Sequence, residues 1–544
     1  MKPPKSKPKR RITAQAAERP SQTVGQGLSP DIMPPQQSGA LQAAEKLIAL
    51  RVHDFSRATK AIESMRASAP EGCLPPVSSE IASSFENPSV PALKLPPPAT
   101  AHPAPSESQL VDITKPVYGG TFLARVEGKA VFVPLTLPGE QACVRITQNK
   151  RGYATAEPEQ IVTIAPQRIA PACQHFGSCG GCQYQHTGYE TQLAFKQAIL
   201  RETLERAGVP VPAEIAILAA DPWQYRNRIR LAFDPDGNPG YRGRGSHAVI
   251  PVRECPIAAP LLLHAAQVFA DVARTVAPSL RPTELSLFCD PAETALQAGI
   301  FTASAKNHRF PELIEAWRER VPALTGVELL LEARPVQNAQ PPRTPPPRMV
   351  AKWGATSLIY PAAGFDYRVD HGAFFQVNRW LVDALVKSVT ANLKGQLAWD
   401  LFAGVGLFAR ALTAGFTRVV AVESAPSATQ ALAANLKGTR GIPVRATTLD
   451  FLRRERDPDG ARPGLTVPDL IVVDPPRAGL GPEITTLLSQ IAAPALVYVS
   501  CDPATLARDL RALLAGGYQI ESITLADLFP QTFHLETVVH LRRP

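Results

Sequence analysis

A cysteine set where a strand meets a helix is the first chemistry this chain offers. Residues 496–509 read Leu-Val-Tyr-Val-Ser-Cys-Asp-Pro-Ala-Thr-Leu-Ala-Arg-Asp, so β-favouring residues run straight into Cys501 and a helix opens at Ala504. Ligands collect at such strand ends in open α/β sheets. There the helix dipole and free backbone amides favour the thiolate over the thiol. A small buried core cysteine is the competing reading, since cysteine is among the most buried residue types.

The other thiols make a metal pattern. Cys173-Gln-His-Phe-Gly-Ser-Cys179-Gly-Gly-Cys182 places three within ten residues, and its glycines let the backbone turn tightly enough for them to converge. Cys255 is followed by a proline, a habit of iron–sulfur ligands. Four thiolates suit a [4Fe–4S] cluster or a structural zinc. Structural zinc usually draws two C-x2-C knuckles and this chain has one, which favours the cluster. The first gap is five residues and a fourth cysteine is at hand, which argues against a radical-generating cluster.

A third group lies in the last 170 residues, where strands and helices alternate as in a doubly wound parallel sheet. Asp400-Leu-Phe402-Ala403-Gly404-Val-Gly406 is a strand, a glycine turn and a helix start. Its acid-x-x-x-G-x-G form suits a nucleoside sulfonium ligand rather than a dinucleotide. One strand later Glu423 stands where a carboxylate takes both ribose hydroxyls. A further strand ends in Asp474-Pro-Pro-Arg477, whose prolines stiffen a lip over the pocket.

The elements that must position these residues follow from texture. Residues 1–106 are rich in Pro, Ser, Gln and Ala and read as a disordered basic extension, with one helical island at Gly39–Met65 and an incidental Cys73. The chain holds 55 prolines, about twice the usual share. Residues 107–165 alternate short strands with Gly or Pro turns, as a small OB-type barrel does, and Lys150, Arg151 and Tyr153 suit single-stranded nucleic acid. Residues 166–365 form a mixed α/β central domain carrying the four cysteines, with a flexible Pro335–Arg348 stretch. Residues 366–544 are the Rossmann-like domain. In Trp223–Arg230, strand alternation puts Arg226, Arg228 and Arg230 on one face, a candidate phosphate row.

The formal charge is +9, but Lys2, Lys5, Lys7, Lys9, Arg10 and Arg11 supply most of it, so basicity only suggests a polyanion partner. No apolar run reaches the roughly 20 residues a membrane helix needs, and no secretory h-region follows the basic N-terminus. A cytoplasmic protein without membrane contact is expected, its cysteines serving metal or catalysis rather than disulfides.

With Phe374-Phe-Gln376-Val-Asn378, the glycine turn, Asp474-Pro-Pro-Arg477, Ser500-Cys501-Asp-Pro and Asp527-Leu-Phe-Pro-Gln-Thr-Phe-His534-Leu-Glu536 together, the chain from about residue 110 resembles the S-adenosylmethionine-dependent RNA uracil-C5 methyltransferases. The barrel resembles the TRAM domain, and the four cysteines match the iron–sulfur site of the branch acting on 23S ribosomal RNA. The resemblance implies Cys501 as nucleophile, Glu536 as base, and Gln376, Phe402, Glu423 and Asp474 around the methyl donor. It implies an RNA partner and a monomer. His534 and Glu536, two apart, would share a strand face. Ala403 replaces a frequent family cysteine, and Asp450 would approach the adenine. A tRNA-directed enzyme, an RNA cytosine-C5 methyltransferase and an inactive RNA-binding assembly protein are the alternatives. The cytosine reading wants a second cysteine within 474–477, where there is none. Adenine amino methylation wants an aromatic after the prolines, where Arg477 stands.

Overall fold

A computed structural model describes residues 108–304, 309–332, 345–456 and 467–544, and the backbone of a short Leu93–Lys94 strand. The Gly39–Met65 island, Cys73 and most of the Pro335–Arg348 stretch lie outside the described residues.

The first body is a small barrel. Gln109–Asp112, Gln141–Asn149, Tyr153–Thr163, Lys129–Pro134, Thr121–Val126 and Lys115–Val117 follow one another across its sheet. Alternation buries Phe122, Ala124, Val131, Val133, Ala142 and Val144 inside, and Tyr184 and Phe195 from the next segment complete that core. A nearly buried ion pair, Arg168 to Glu140 at 2.5 Å, ties the exit of the barrel to its Pro138–Glu140 turn.

The central body is a seven-stranded sheet in the order Val249–Pro251, Pro239–Arg242, Arg228–Phe233, Pro282–Cys289, Leu296–Thr302, Leu324–Leu331, Arg348–Gly354. Only Leu296–Thr302 and Leu324–Leu331 run parallel. Helices Pro260–Val276 and Phe310–Arg320 pack on the sheet, with Phe269 and Trp317 buried between. The Trp317 indole donates to Ala265 O at 3.0 Å, so its one polar atom is satisfied inside the core.

The last body positions the candidate site. Its sheet runs Gly441–Arg445, Phe416–Glu423, Gly395–Leu401, Leu470–Val473, Ala495–Ser500, Glu536–Arg542, Gln519–Ala526, Ala216–Leu218. Glu536–Arg542 is antiparallel to both its neighbours, while the other pairings are parallel. The central strands Leu470–Val473 and Ala495–Ser500 are buried on both faces, which is why they read as continuous apolar runs. The outermost strand comes from the middle of the chain. Helix Tyr189–Arg206 joins it there, burying Ile199, Leu200 and Leu204 in the core shared with Tyr498 and Leu506.

Candidate active site

Cys501 leaves strand Ala495–Ser500 and precedes helix Pro503–Ala515. Asp502 is that helix's N-cap, and its Oδ1 accepts from the Ala504 and Thr505 amides at 3.1 and 2.9 Å. The amides expected to stabilise a thiolate are therefore committed to a carboxylate. Burial raises the Cys501 thiol, and the charges of Glu536, Asp474 and Asp502 raise it further, against Arg477. These surroundings favour the thiol over the thiolate, the reverse of what the helix start alone leads one to expect.

The neighbouring strand brings the second group. Ser500 and Thr537 are the last pair of the antiparallel ladder, so Cys501 and Glu536, the next residue on each chain segment, meet at its end, where the Glu536 charge acts on Cys501. Glu536 is 6% exposed and opens its own strand. His534 lies before that strand, so the two do not share a strand face as expected. Burial lifts both Glu536 and Asp474, and the Asp474 charge lifts Glu536 again while Arg477 lowers it. His534 faces Arg477, Nδ1 to Nη2 at 3.1 Å. A guanidinium only donates, so this imidazole nitrogen is an acceptor. Burial, Arg477 and Lys196 hold His534 well below its usual range, and it is neutral.

The turn bearing Asp474 and Arg477 is fixed from beneath by Asp509. Its Oδ2 accepts from Leu480 N at 2.7 Å and from the Tyr498 hydroxyl at 2.8 Å, and its Oδ1 from Gly481 N at 3.3 Å. Gly479 has φ +72°, and a Cβ there would stand 2.4 Å from Asp509 Oδ2. Only glycine lets the turn sit this close.

Beside this turn lies the glycine-rich strand end. Asp400 is fully buried; its Oδ2 accepts from Ala409 N at 2.8 Å, and its Oδ1 has no partner. Burial and the charges of Asp474 and Glu423 raise Asp400 to about 8. Phe402 follows with φ +66°, a left-handed conformation that costs a non-glycine residue roughly 1–3 kcal/mol and clusters at ligand sites. Glu423 accepts from Gly404 N at 3.0 Å and from Ser424 N and Ala425 N at 2.6 Å each, which binds the second strand end to the glycine turn. Gln376 is 6% exposed on a segment held by Asn227, which donates to Gln376 O at 3.1 Å and to the Tyr360 hydroxyl at 2.8 Å. A cradle with an orphaned buried carboxyl oxygen and two strand-end acids suits a cationic nucleoside sulfonium. Asp450 is held at the helix start by its N-cap Thr447, whose hydroxyl accepts from Asp450 N at 3.0 Å and lies 2.7 Å from Asp450 Oδ2.

The family model described as tRNA (Uracil-5-)-methyltransferase matches residues 466–544, and the TRAM domain model matches residues 106–158. A 23S rRNA (uracil(1939)-C(5))-methyltransferase of Halomonas elongata is 31% identical over 445 residues, covering 78% of this chain and 88% of the relative. The chain belongs to the RNA uracil-C5 methyltransferase family. An uncharacterized RNA methyltransferase of Nitratidesulfovibrio vulgaris is 32% identical over 444 residues, 78% of this chain and 93% of the relative. Among solved structures, the Pyrococcus abyssi tRNA (uracil-54, C5)-methyltransferase in complex with S-adenosyl-L-homocysteine matches with a TM-score of 0.62 at 23% identity, over 79% of this chain and 99% of that one. This RNA uracil-C5 methyltransferase thus has the class I, S-adenosylmethionine-dependent fold with an N-terminal TRAM barrel.

In this RNA uracil-C5 methyltransferase the four remaining candidate ligands come from two segments that meet. Cys179 bridges to Gly243, and Gly180 N donates to Arg242 O at 3.1 Å. Arg244 then clasps two parts: Gly177 O at 3.0 Å, and both oxygens of the barrel's Glu157 at 2.7 Å. Burial raises Cys179 to about 12, aided by Cys255 and Cys173; Cys182 and Cys255 also rise. Amides address the sulfurs, Gly181 N to Cys179 Sγ at 3.4 Å and those of Ile257 and Ala258 to Cys255. Among the described residues, no three His, Cys, Asp or Glu side chains form a group that could hold a metal ion.

Of the expected arginine row, Arg226 lies before strand Arg228–Phe233, and Arg228 and Arg230 alternate on it but turn to protein. Arg228 donates to Ala373 O at 2.7 Å and stacks 4.1 Å over Phe288, and burial lowers it to about 10. Arg230 pairs with Glu284 and covers Phe301. A phosphate row there is corrected to a packing seam. Two groups escaped sequence reasoning. Asp502 carried an N-cap signal in its Asp-Pro pair. Tyr118 of the barrel carried no signal, and reaches Asp502 across 384 positions.

Proposed function

We propose that this enzyme methylates C5 of a uridine in 23S ribosomal RNA through a covalent bond between Cys501 and C6. The observation that carries the chemistry is that Cys501 and Glu536 flank the last ladder pair, Ser500 and Thr537, closely enough for the Glu536 charge to act on the thiol. Uracil C5 is a poor nucleophile, so a methyl donor alone does not suffice. Cys501 loses its proton and attacks C6; the C5–C6 electrons move into the C4 carbonyl, leaving an enolate rich at C5. S-adenosylmethionine, when bound, supplies an electrophilic methyl group to that carbon. Glu536 then removes the C5 proton, the C5–C6 double bond re-forms, and Cys501 leaves as thiolate. Gln376, Phe402, Glu423 and Asp474 are the residues we assign to the methyl-donor site. The ribosomal target rests on relatives such as that of Halomonas elongata. Mapping 5-methyluridine in total RNA with and without the gene tests it. One 23S position should lose its methyl group; loss from tRNA alone would overturn the assignment.

We further propose that Cys173, Cys179, Cys182 and Cys255, which as they stand form no metal-holding group, are drawn together to hold a [4Fe–4S] cluster. Their support is the donor set, four cysteines from two segments that meet, with backbone amides addressing Cys179 and Cys255 as they do thiolate ligands. Methyl transfer moves no electrons, so such a cluster would be a staple between the 173–182 and 241–258 segments. Action as a cytoplasmic monomer in four parts (1–106, 107–165, 166–365 and 366–544) completes the reading; among the described residues no helix is long and apolar enough to cross a membrane.

A further inference from the structure

The barrel of this enzyme reaches the methyl-transfer site with one side chain. Tyr118 stands in the turn Val117-Tyr-Gly-Gly120, and its hydroxyl donates to Asp502 Oδ2 at 3.3 Å. Asp502 Oδ1 already holds the Ala504 and Thr505 amides, so Tyr118 occupies the other oxygen. The ring meets Phe533 edge-on, with centroids 5.7 Å apart and planes at 84°. Phe533 in turn lies 4.3 Å from the ring of His534, the partner of Arg477.

This seat is built rather than incidental. Gly120 has φ +82°, and a Cβ on it would stand 2.6 Å from Gln183 Cγ and 3.3 Å from Phe533. Gln183 N donates to Gln531 O at 2.9 Å, and its side-chain oxygen accepts from Phe533 N at 3.3 Å. The turn, Gln183 and the 531–533 loop therefore lock together, and Tyr118 is aimed from that lock at the cap beside Cys501.

We propose that Tyr118 is a positioning residue of the catalytic site: the barrel supplies the donor to the second oxygen of Asp502, and barrel docking thereby sets the charge against which Cys501 ionises. The inference rests on Cys501 being the nucleophile. The groups facing Cys501 are Glu536 from its strand, Asp474 and Arg477 from the 474–481 turn, Asp502 from its own helix cap, and Tyr118 from the barrel. Three of these are acids that oppose a thiolate. A donor on Asp502 Oδ2 draws off part of one of those charges. Without it, the thiol holds its proton more tightly and attack at C6 slows at neutral pH.

The experiment uses the full chain and a 23S rRNA transcript made with 5-fluorouridine. Fluorine at C5 cannot be removed as a proton, so the Cys501 adduct accumulates and its rate of formation is read directly. Measured from pH 6 to 9, Tyr118→Phe should form adduct about tenfold more slowly at pH 7, the size of one unit of thiol pKa, with its rise displaced to higher pH by about that unit. RNA and S-adenosylmethionine affinities should stay within about twofold, since both binding surfaces are intact. On an Asp502→Asn background, whose amide oxygen still caps the helix, Tyr118→Phe should add nothing. A Tyr118→Phe profile identical to wild type would overturn the proposal. So would an equal loss at every pH with weaker RNA binding, which would make Tyr118 a barrel anchor. Adduct formed by Cys501→Ala is a different failure, and would overturn the nucleophile assignment itself.

Discussion

Asp502 takes the two amides that a helix start would otherwise offer Cys501, so the proposed nucleophile is next to a capped helix end and flanked by acids. Both groups that must act deprotonated, Cys501 and Glu536, are raised by burial and by neighbouring charge. Single-turnover methyl transfer should therefore climb with pH from about 6 to 9 rather than pass through a neutral optimum. Arg477 opposes both shifts, so Arg477→Met should move the rise to higher pH. A flat or falling profile would refute this electrostatic picture.

Asp509 organises the turn that carries Asp474 and Arg477. Asp509→Ala leaves the Tyr498 hydroxyl and the Leu480 amide buried without acceptors, at about 1–3 kcal/mol for each unsatisfied group. Urea unfolding should show that loss, and kcat should fall with it because the turn loosens. A variant as stable and active as wild type would remove Asp509 from the account.

Lys196 and Asp527 form an ion pair with neither side chain exposed, N to O 2.6 Å, and Lys196 also donates to Phe529 O at 2.9 Å. Removing one partner strands a buried charge, so Lys196→Met should cost about 3–5 kcal/mol. Replacing both, Lys196→Met with Asp527→Leu, should cost much less, since no charge remains to be buried. Equal losses in the single and double variants would contradict the pairing.

Protein purified without oxygen should be brown, with iron and sulfide near four each per chain, on the order a [4Fe–4S] cluster requires. Cys179→Ser should lose the colour and weaken RNA binding more than S-adenosylmethionine binding, because its loop is tied through Arg244 to the barrel. Colourless protein with one zinc would replace the cluster by a zinc staple.

The barrel strands and the alternating sheet were legible because Gly and Pro turns, and strand–turn–helix repeats, are local signals. Ala216–Leu218 was not. Three residues carry no period, and they become a strand only because Gln519–Ala526 offers them an edge. The alternation correctly placed Arg228 and Arg230 together, though Arg226 falls before the strand, but alternation says which residues share a face and not what covers it. Here Phe288 and Phe301 cover it. The Cys501 environment was misread for a similar reason: a helix start promises free amides, and the side chain that claims them must be weighed too. Lys196 and Asp527, 331 positions apart, leave no local trace.

The central claim is that Cys501 bonds to the base and Glu536 removes the C5 proton. Incubating Glu536→Gln with 23S rRNA and S-adenosylmethionine, then separating the mixture under denaturing conditions, tests both roles at once. A methylated protein–RNA adduct that survives denaturation, and is lost when Cys501→Ala is added, is the result expected. Full turnover by Glu536→Gln with no adduct would contradict the account.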